Sequence, residues 1–141
     1  MNNLKMFCIT LDPDHIDYIK SLNYTPVLLG DKNYSGQCLS DKHGENISYK
    51  NKNYGEYTFH YWLWKNYLEN INDNWIGFCQ YRKFWSLKFS PNNEINLDNL
   101  RDKTLSKIPN ELEKYEVVLG DPFFVNKRKI IKFIKNGFPL I

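Results

Sequence analysis

The stretch from residue 5 to residue 30 constrains the fold most, because a short apolar run, an amphipathic segment and a second apolar run follow one another with almost no linker. Residues 5–10 (KMFCIT) are closed by Leu11-Asp12-Pro13, the pattern of a buried strand and its exit turn. In 14–22, Ile16, Ile19 and Leu22 recur at three-residue spacing, which predicts a short helix with Asp14 as its N-cap. Residues 25–30 (TPVLLG) form the second strand and end at a glycine. Two strands joined through a helix run parallel, so the chain opens as an α/β domain.

The remaining segments extend that plan. Residues 31–53 are polar and rich in Gly, Ser, Asn and Lys, a long loop of the kind that carries function in a compact domain. Asn53 followed by Glu56 matches a capping box, and Tyr57, Tyr61, Trp64 and Leu68 then recur every three or four residues, predicting a helix to about residue 68 with those rings in the core. Trp62 and Trp64 fall on different faces of that helix, so one of them is expected outside the core seam. Residues 75–79 (WIGFC) read as a third strand and 115–119 (YEVVL) as a fourth, stopped by Gly120-Asp121-Pro122. Between them lie helical turns near 99–103 and 110–114, and 127–138 read as a basic amphipathic helix. About four strands leave a sheet edge uncovered, so the chain is expected to be the N-terminal portion of a larger domain, or to have its sheet completed by a partner.

Bulk properties narrow the function class. With 141 residues, 42% hydrophobic and 16% aromatic, the chain can bury a core of its own and is not disordered. A formal charge of +3 with scattered basic residues fits an anionic ligand and does not call for nucleic acid. Cys8, Cys38 and Cys79 are odd in number and share no CxxC spacing, which suits reduced thiols in a cytoplasmic protein. The opening apolar run is too short for a signal peptide, and no segment approaches a membrane span.

Four places could carry chemistry. The turn Asp41-Lys42-His43-Gly44-Glu45-Asn46-Ile47 precedes a helix, where backbone N–H groups and the helix dipole favour an anion such as a diphosphate; the same residues also make an ordinary hydrophilic turn. Glu56 could serve as acid or base, although its spacing favours capping, and His60 among aromatics fits a packing role. Gln80-Tyr81-Arg82-Lys83 leaves a buried strand at the end where open α/β sheets bind ligands, and Arg82 offers a fork for phosphate beside the point charge of Lys83. Asp121 leaves the fourth strand in the same kind of place, where Asp before Pro is also a common turn. Gln80-Tyr81-Arg82 stands where a DxD pair would leave the inner strand, and there is no HExxH or P-loop, so a divalent metal has no motif there to hold it.

One family shares these features in order. Gly44-Glu45-Asn46-Ile47-Ser48, then Lys50-Asn51, Tyr54, Glu56, Tyr61-Trp62, Trp64-Lys65-Asn66, Ile76-Gly77 and Tyr81-Arg82-Lys83-Phe84 resemble domain of unknown function 4422, whose members look like glycosyltransferases of capsular and exopolysaccharide synthesis. The resemblance implies a GT-A-like, Rossmann-like fold, a nucleotide-sugar donor, and a glycan or lipid-linked acceptor. Taken with the reading of the residues, donor contact is expected at Asp41, Asn46, Tyr81, Arg82 and Lys83, with Glu56, His60 and Asp121 as lesser candidates for catalysis. Members more often carry His where this chain has Gln80 and Arg where it has Lys83, and they continue past residue 119 through a further half. The basic segment 127–138 would either dock on the anionic inner face of a membrane, where lipid-linked acceptors lie, or pack its Ile face on the sheet with its lysines in water. The alternative is a truncated, non-catalytic binding or scaffold module of the same fold.

Overall fold

The computed structural model describes residues 3–86 and 97–121. Its centre is a parallel sheet of β1 (Leu4–Thr10), β2 (Thr25–Leu28) and β3 (Trp75–Gln80) in the order β2-β1-β3. Helix α1 (Ile16–Ser21) joins β1 to β2. The chain then returns through α2 (Asn51–Tyr54) and α3 (Tyr57–Asn66) to place β3 on the far side of β1. The crossover from β1 to β2 and the one from β2 back past β1 to β3 run in opposite directions, and right-handed connections of that kind put their helices on opposite faces of the sheet. The core divides accordingly. Met6, Cys8 and Cys79 pack with Ile19, Leu22 and Tyr24 on the α1 side, while Phe7, Ile9 and Val27 pack with Phe59, Trp62 and Leu63 on the α3 side. A central strand covered on both faces has no polar side, which is why residues 5–10 read as a continuous apolar run.

Among the described residues the α/β expectation holds, with strand boundaries extended by a residue or shortened by two. Asp12, rather than Asp14, receives the capping bond, from the Asp14 N–H at 3.4 Å in a short 3-10 turn ahead of α1. Helix α4 (Leu97–Lys103) and a 3-10 turn at Asn110–Leu112 occupy the stretches expected to be helical turns. Cys8 and Cys79 stand opposite each other in the β1–β3 register as buried free thiols, and Cys38 is half-buried. The hydrogen bond with Cys8, and then burial, push the Cys79 thiol up. The segment 127–138 lies outside the described residues, and no described helix is long and apolar enough to cross a membrane.

Two expectations are corrected. Residues 115–119 join no strand: Tyr115, Val117 and Leu119 are exposed, and a cavity of about 760 Å³ separates them from the outer edge of β3. Trp85 takes up that edge instead, its indole N–H donating to the Phe78 carbonyl at 2.7 Å and its own carbonyl accepting from Leu105 N at 2.9 Å. The second correction concerns the face of α3. Its buried side is Thr58, Phe59, Trp62 and Leu63, whereas Tyr57 and Trp64 are 64% and 60% exposed. Tyr57, Tyr61 and Trp64 therefore form the outward stripe, not the core seam.

Two tyrosines tie the α1 face to distant loops. The Tyr24 hydroxyl donates to the Leu105 carbonyl at 2.6 Å, and the Tyr18 hydroxyl donates to the Tyr81 carbonyl. Burial raises both phenols from their usual 10.0 to about 12. A folded-state pKa above the unfolded one means that this stabilisation is complete below about pH 10 and is lost as the pH climbs towards 12. Alkaline titration followed by tyrosinate absorbance and far-ultraviolet circular dichroism should show loss of structure within that window. Tyr24→Phe should reduce the pH dependence there; an unchanged alkaline transition would dissociate Tyr24 from it.

Candidate functional site

Because β1 lies between β2 and β3, the connection to β2 and the connection from β2 to β3 run in opposite directions, and a crevice opens beyond the carboxyl ends of β1 and β3. A cavity of about 680 Å³ occupies that place. Thr10, Leu11 and Asp12 border it from the end of β1, Leu29 from β2, and Gln80, Tyr81 and Arg82 from β3; Asn51, Lys52, Gly55 and Glu56 close one wall.

The β1 exit is tightly organised. The buried Thr10 hydroxyl donates to the Asp12 carbonyl at 3.2 Å, accepts from Asp12 N–H at 3.0 Å, and meets His15 Nδ1 at 2.8 Å. The His15 ring lies flat on Tyr81, centroids 4.1 Å apart with an interplanar angle of 12°, and the Arg82 guanidinium sits 5.5 Å from the Tyr81 ring centre. Tyr81 is fixed from behind as well: its N–H donates to the Ile9 carbonyl at 3.1 Å, and its carbonyl accepts from Tyr18.

The rim carries three cations, Lys32, Lys52 and Arg82, against two carboxylates, Asp12 and Glu56. Lys32 pairs with Asp12 at 3.1 Å, which holds the Asp12 carboxyl below the usual range. Glu56 accepts from the Gln80 side-chain amide. Both cavity carboxylates are thus engaged, while neither Lys52 nor Arg82 belongs to an ion pair among the described residues. The Glu56 contact also corrects the capping expectation. Gly55, with φ of +55°, breaks the helical path between α2 and α3, and the Glu56 side chain caps neither segment.

The sequence-predicted residues separate into groups. Tyr81, Arg82 and Glu56 line the cavity together. Lys83 is exposed beside them, its backbone closing a tight turn with Gln80. Asn46 is occupied in building its own turn: its amide donates to the Gly44 carbonyl at 2.8 Å, and its Oδ1 accepts from Ser48 N–H at 3.2 Å and Ser48 Oγ at 2.8 Å. That turn is stapled to α3. Glu45 N–H donates to Asn66 Oδ1 at 3.0 Å, Asn66 Nδ2 returns to the Glu45 carbonyl at 2.8 Å, and the Trp62 indole donates to the His43 carbonyl at 2.6 Å. Gly44 has φ of +66°, and a Cβ there would collide with Asn66 Oδ1, so both backbone and space require glycine.

Asp41 is buried, and its Oδ2 has no hydrogen-bond partner among the described residues. His60 packs 4.3 Å from Phe78, and burial lowers its imidazole pKa. Asp121 is exposed at the end of the described chain. The reading of sequence passed over Thr10, Asp12, His15, Lys32 and Lys52. The rule that pointed to the β3 exit applies equally to β1 and would have found Asp12 and His15; nothing in spacing would have found Lys32 or Lys52.

Gln80-Tyr81-Arg82 supplies no carboxylate pair, and among the described residues no three or more of His, Cys, Asp and Glu gather in a metal-ligand group. The arrangement suits an anionic ligand with a planar group: flat rings at the β1 and β3 exits, and at the rim Lys52 and Arg82 outside any ion pair among the described residues.

Among known proteins, no curated sequence matches the chain. The apo structure of the WbbM bifunctional glycosyltransferase is similar to it, with 26% identity over 67% of this chain and a TM-score of 0.44, and the chain spans 16% of that protein's length. The match to the family described as Domain of unknown function (DUF4422) runs over residues 9–136, nearly the whole chain, and the chain belongs to that family.

Proposed function

We propose that the chain is a glycosyltransferase domain, or the donor-binding half of one, which holds a nucleoside-diphosphate sugar in the cavity beyond β1 and β3 for transfer to a glycan or lipid-linked acceptor in capsule or exopolysaccharide synthesis. The observation that carries the reading is the position and charge of that cavity: a switch-point crevice whose rim has Lys52 and Arg82 outside any ion pair among the described residues. In this reading the His15–Tyr81 stack gives a planar wall for the base or sugar, and Arg82, helped by Lys83, neutralises the diphosphate in place of a metal. Tyr18, through the Tyr81 carbonyl, fixes the turn that presents Arg82.

Calorimetry with UDP- and GDP-linked hexoses tests the proposal. Arg82 is exposed, so Arg82→Ala should weaken binding by roughly tenfold, about 1.4 kcal/mol, rather than abolish it. A parent chain that binds none of these donors, an Arg82→Ala chain that binds as tightly as the parent, or binding that strictly needs manganese would each count against it. One observation favours a second reading, a binding module that transfers nothing: Asp12 and Glu56, the carboxylates lining the cavity, are engaged by Lys32 and Gln80. Product formation with donor and acceptor separates the two.

A further inference from the structure

The outward face of α2 and α3 carries an unusual run of rings. Tyr49, Tyr54, Tyr57 and Trp64 are 78%, 52%, 64% and 60% exposed, and Tyr61 stands between Tyr57 and Trp64 on the same stripe, edge-on to Trp64 with centroids 5.9 Å apart. Large exposed apolar patches on folded domains mark interaction sites. Such a surface would be a liability without an occupant.

The chemistry of the patch favours a sugar chain over a protein. Its exposed large apolar residues from 49 to 64 are all aromatic; the aliphatic Leu68, less exposed at 39%, follows beyond the end of α3, and the exposed Val117 and Leu119 lie on a different segment. Flat Tyr and Trp faces match the C–H faces of pyranose rings, and they offer that area at little conformational cost. Polar groups border the rings where sugar hydroxyls would project. The Lys65 ammonium lies 4.1 Å from the Trp64 ring centre, that of Lys50 lies 5.5 Å from Tyr49 and 6.0 Å from Tyr54, and Glu45 binds the Tyr61 hydroxyl at 2.7 Å.

Position supplies the second argument. Lys52, Gly55 and Glu56 line the cavity, and Tyr54 and Tyr57, which do not line it, adjoin them in sequence, so the aromatic stripe starts one residue from cavity-lining positions. From Tyr57 to Trp64 it then follows the helix for about 10 Å at the α-helical rise, enough for successive sugar rings.

We propose that Tyr57, Tyr61 and Trp64, with Tyr54 at the cavity end, form a stacking platform for an oligosaccharide chain that leads to the cavity beyond β1 and β3. Its identification with the acceptor rests on the donor-binding reading; the platform itself does not. Affinity electrophoresis of the full chain through gels containing dextran, alginate or hyaluronan, paired with donor calorimetry, tests it. Retardation by at least one polysaccharide is expected, with Trp64→Ala and Tyr57→Ala each lowering apparent affinity about tenfold or more while donor binding is unchanged. Both side chains are exposed, so each variant should fold. Arg82→Ala should lose donor affinity and keep retardation. A chain retarded by polysaccharide that binds no nucleotide sugar would sink the donor reading and leave the platform standing. The platform is overturned by a parent chain that none of the polysaccharides retards, by variants retarded like the parent, or by sedimentation showing that Trp64→Ala abolishes self-association without any polysaccharide effect.

Discussion

Truncating Phe59 to alanine is expected to destabilise the chain by about 3–5 kcal/mol, the largest effect of any single substitution considered. Phe59 is wholly buried where α3 meets the sheet. Its ring packs edge-on to Phe7 with centroids 5.5 Å apart, edge-on to Phe78 at 6.5 Å, and stacked on Trp62 at 5.7 Å. Alanine would remove a ring that touches β1, β3 and its own helix, and the rigid aromatics around it cannot collapse into the space. A domain of this size has a stability on the order of 5–15 kcal/mol, so the loss would bring much of the population near its unfolding threshold. Urea unfolding followed by circular dichroism measures it directly. Trp64→Ala provides the contrast: a larger ring on the same helix, pointing outward, should change stability by no more than about 0.5 kcal/mol. Equal losses for the two variants would mean that the assignment of buried and outward faces on α3 is wrong.

That contrast also locates what sequence pattern could and could not convey. The opening strand-helix-strand unit and the third strand were legible because a doubly covered sheet demands short, uninterrupted apolar runs, and residues 5–10, 25–30 and 75–79 have few polar interruptions. The helix preceding β3 was legible too, but not its orientation. Tyr57, Tyr61 and Trp64 repeat with helical period, and so do Phe59, Trp62 and Leu63; when both faces are aromatic, periodicity proves a helix and is silent on which side is inside. The cavity was half legible. Strand exits predicted Tyr81 and Arg82, whereas Lys32 and Lys52 arrive from loop and helix through tertiary folding that no local spacing encodes. Residues 115–119 show the opposite failure. Their β-branched composition suits a strand, but pairing needs an available edge, and the Trp85 indole already holds the Phe78 carbonyl.

At Asp41, stability and binding should move in opposite directions. The side chain is 1% exposed, and both its Oδ2 and the hydroxyl of neighbouring Ser40 lack a hydrogen-bond partner among the described residues. A buried acceptor left unmatched costs about 1–3 kcal/mol, and more when it carries charge. Such a cost persists where a ligand recovers it. Asp41 follows the isolated parallel bridge of Leu39 to Val27 by two residues, near the end of β2, and is not itself among the residues lining the cavity, so substitution there decides whether a ligand reaches it. A carboxylate oxygen can only accept, and a nucleotide-sugar donor offers hydroxyl and N–H groups to fill it. Asp41→Asn keeps the shape and removes the charge. In the free chain it should raise stability by about 1 kcal/mol; with donor present it should weaken binding by tenfold or more, about 1.4 kcal/mol or greater. Because ligand stabilises the folded state by RT ln(1 + [L]/Kd), the parent chain should overtake the variant in melting temperature as donor concentration rises. The crossing of the two curves is the diagnostic result. A variant less stable than the parent at every donor concentration, with unchanged affinity, would make Asp41 a structural carboxylate and remove it from the donor site.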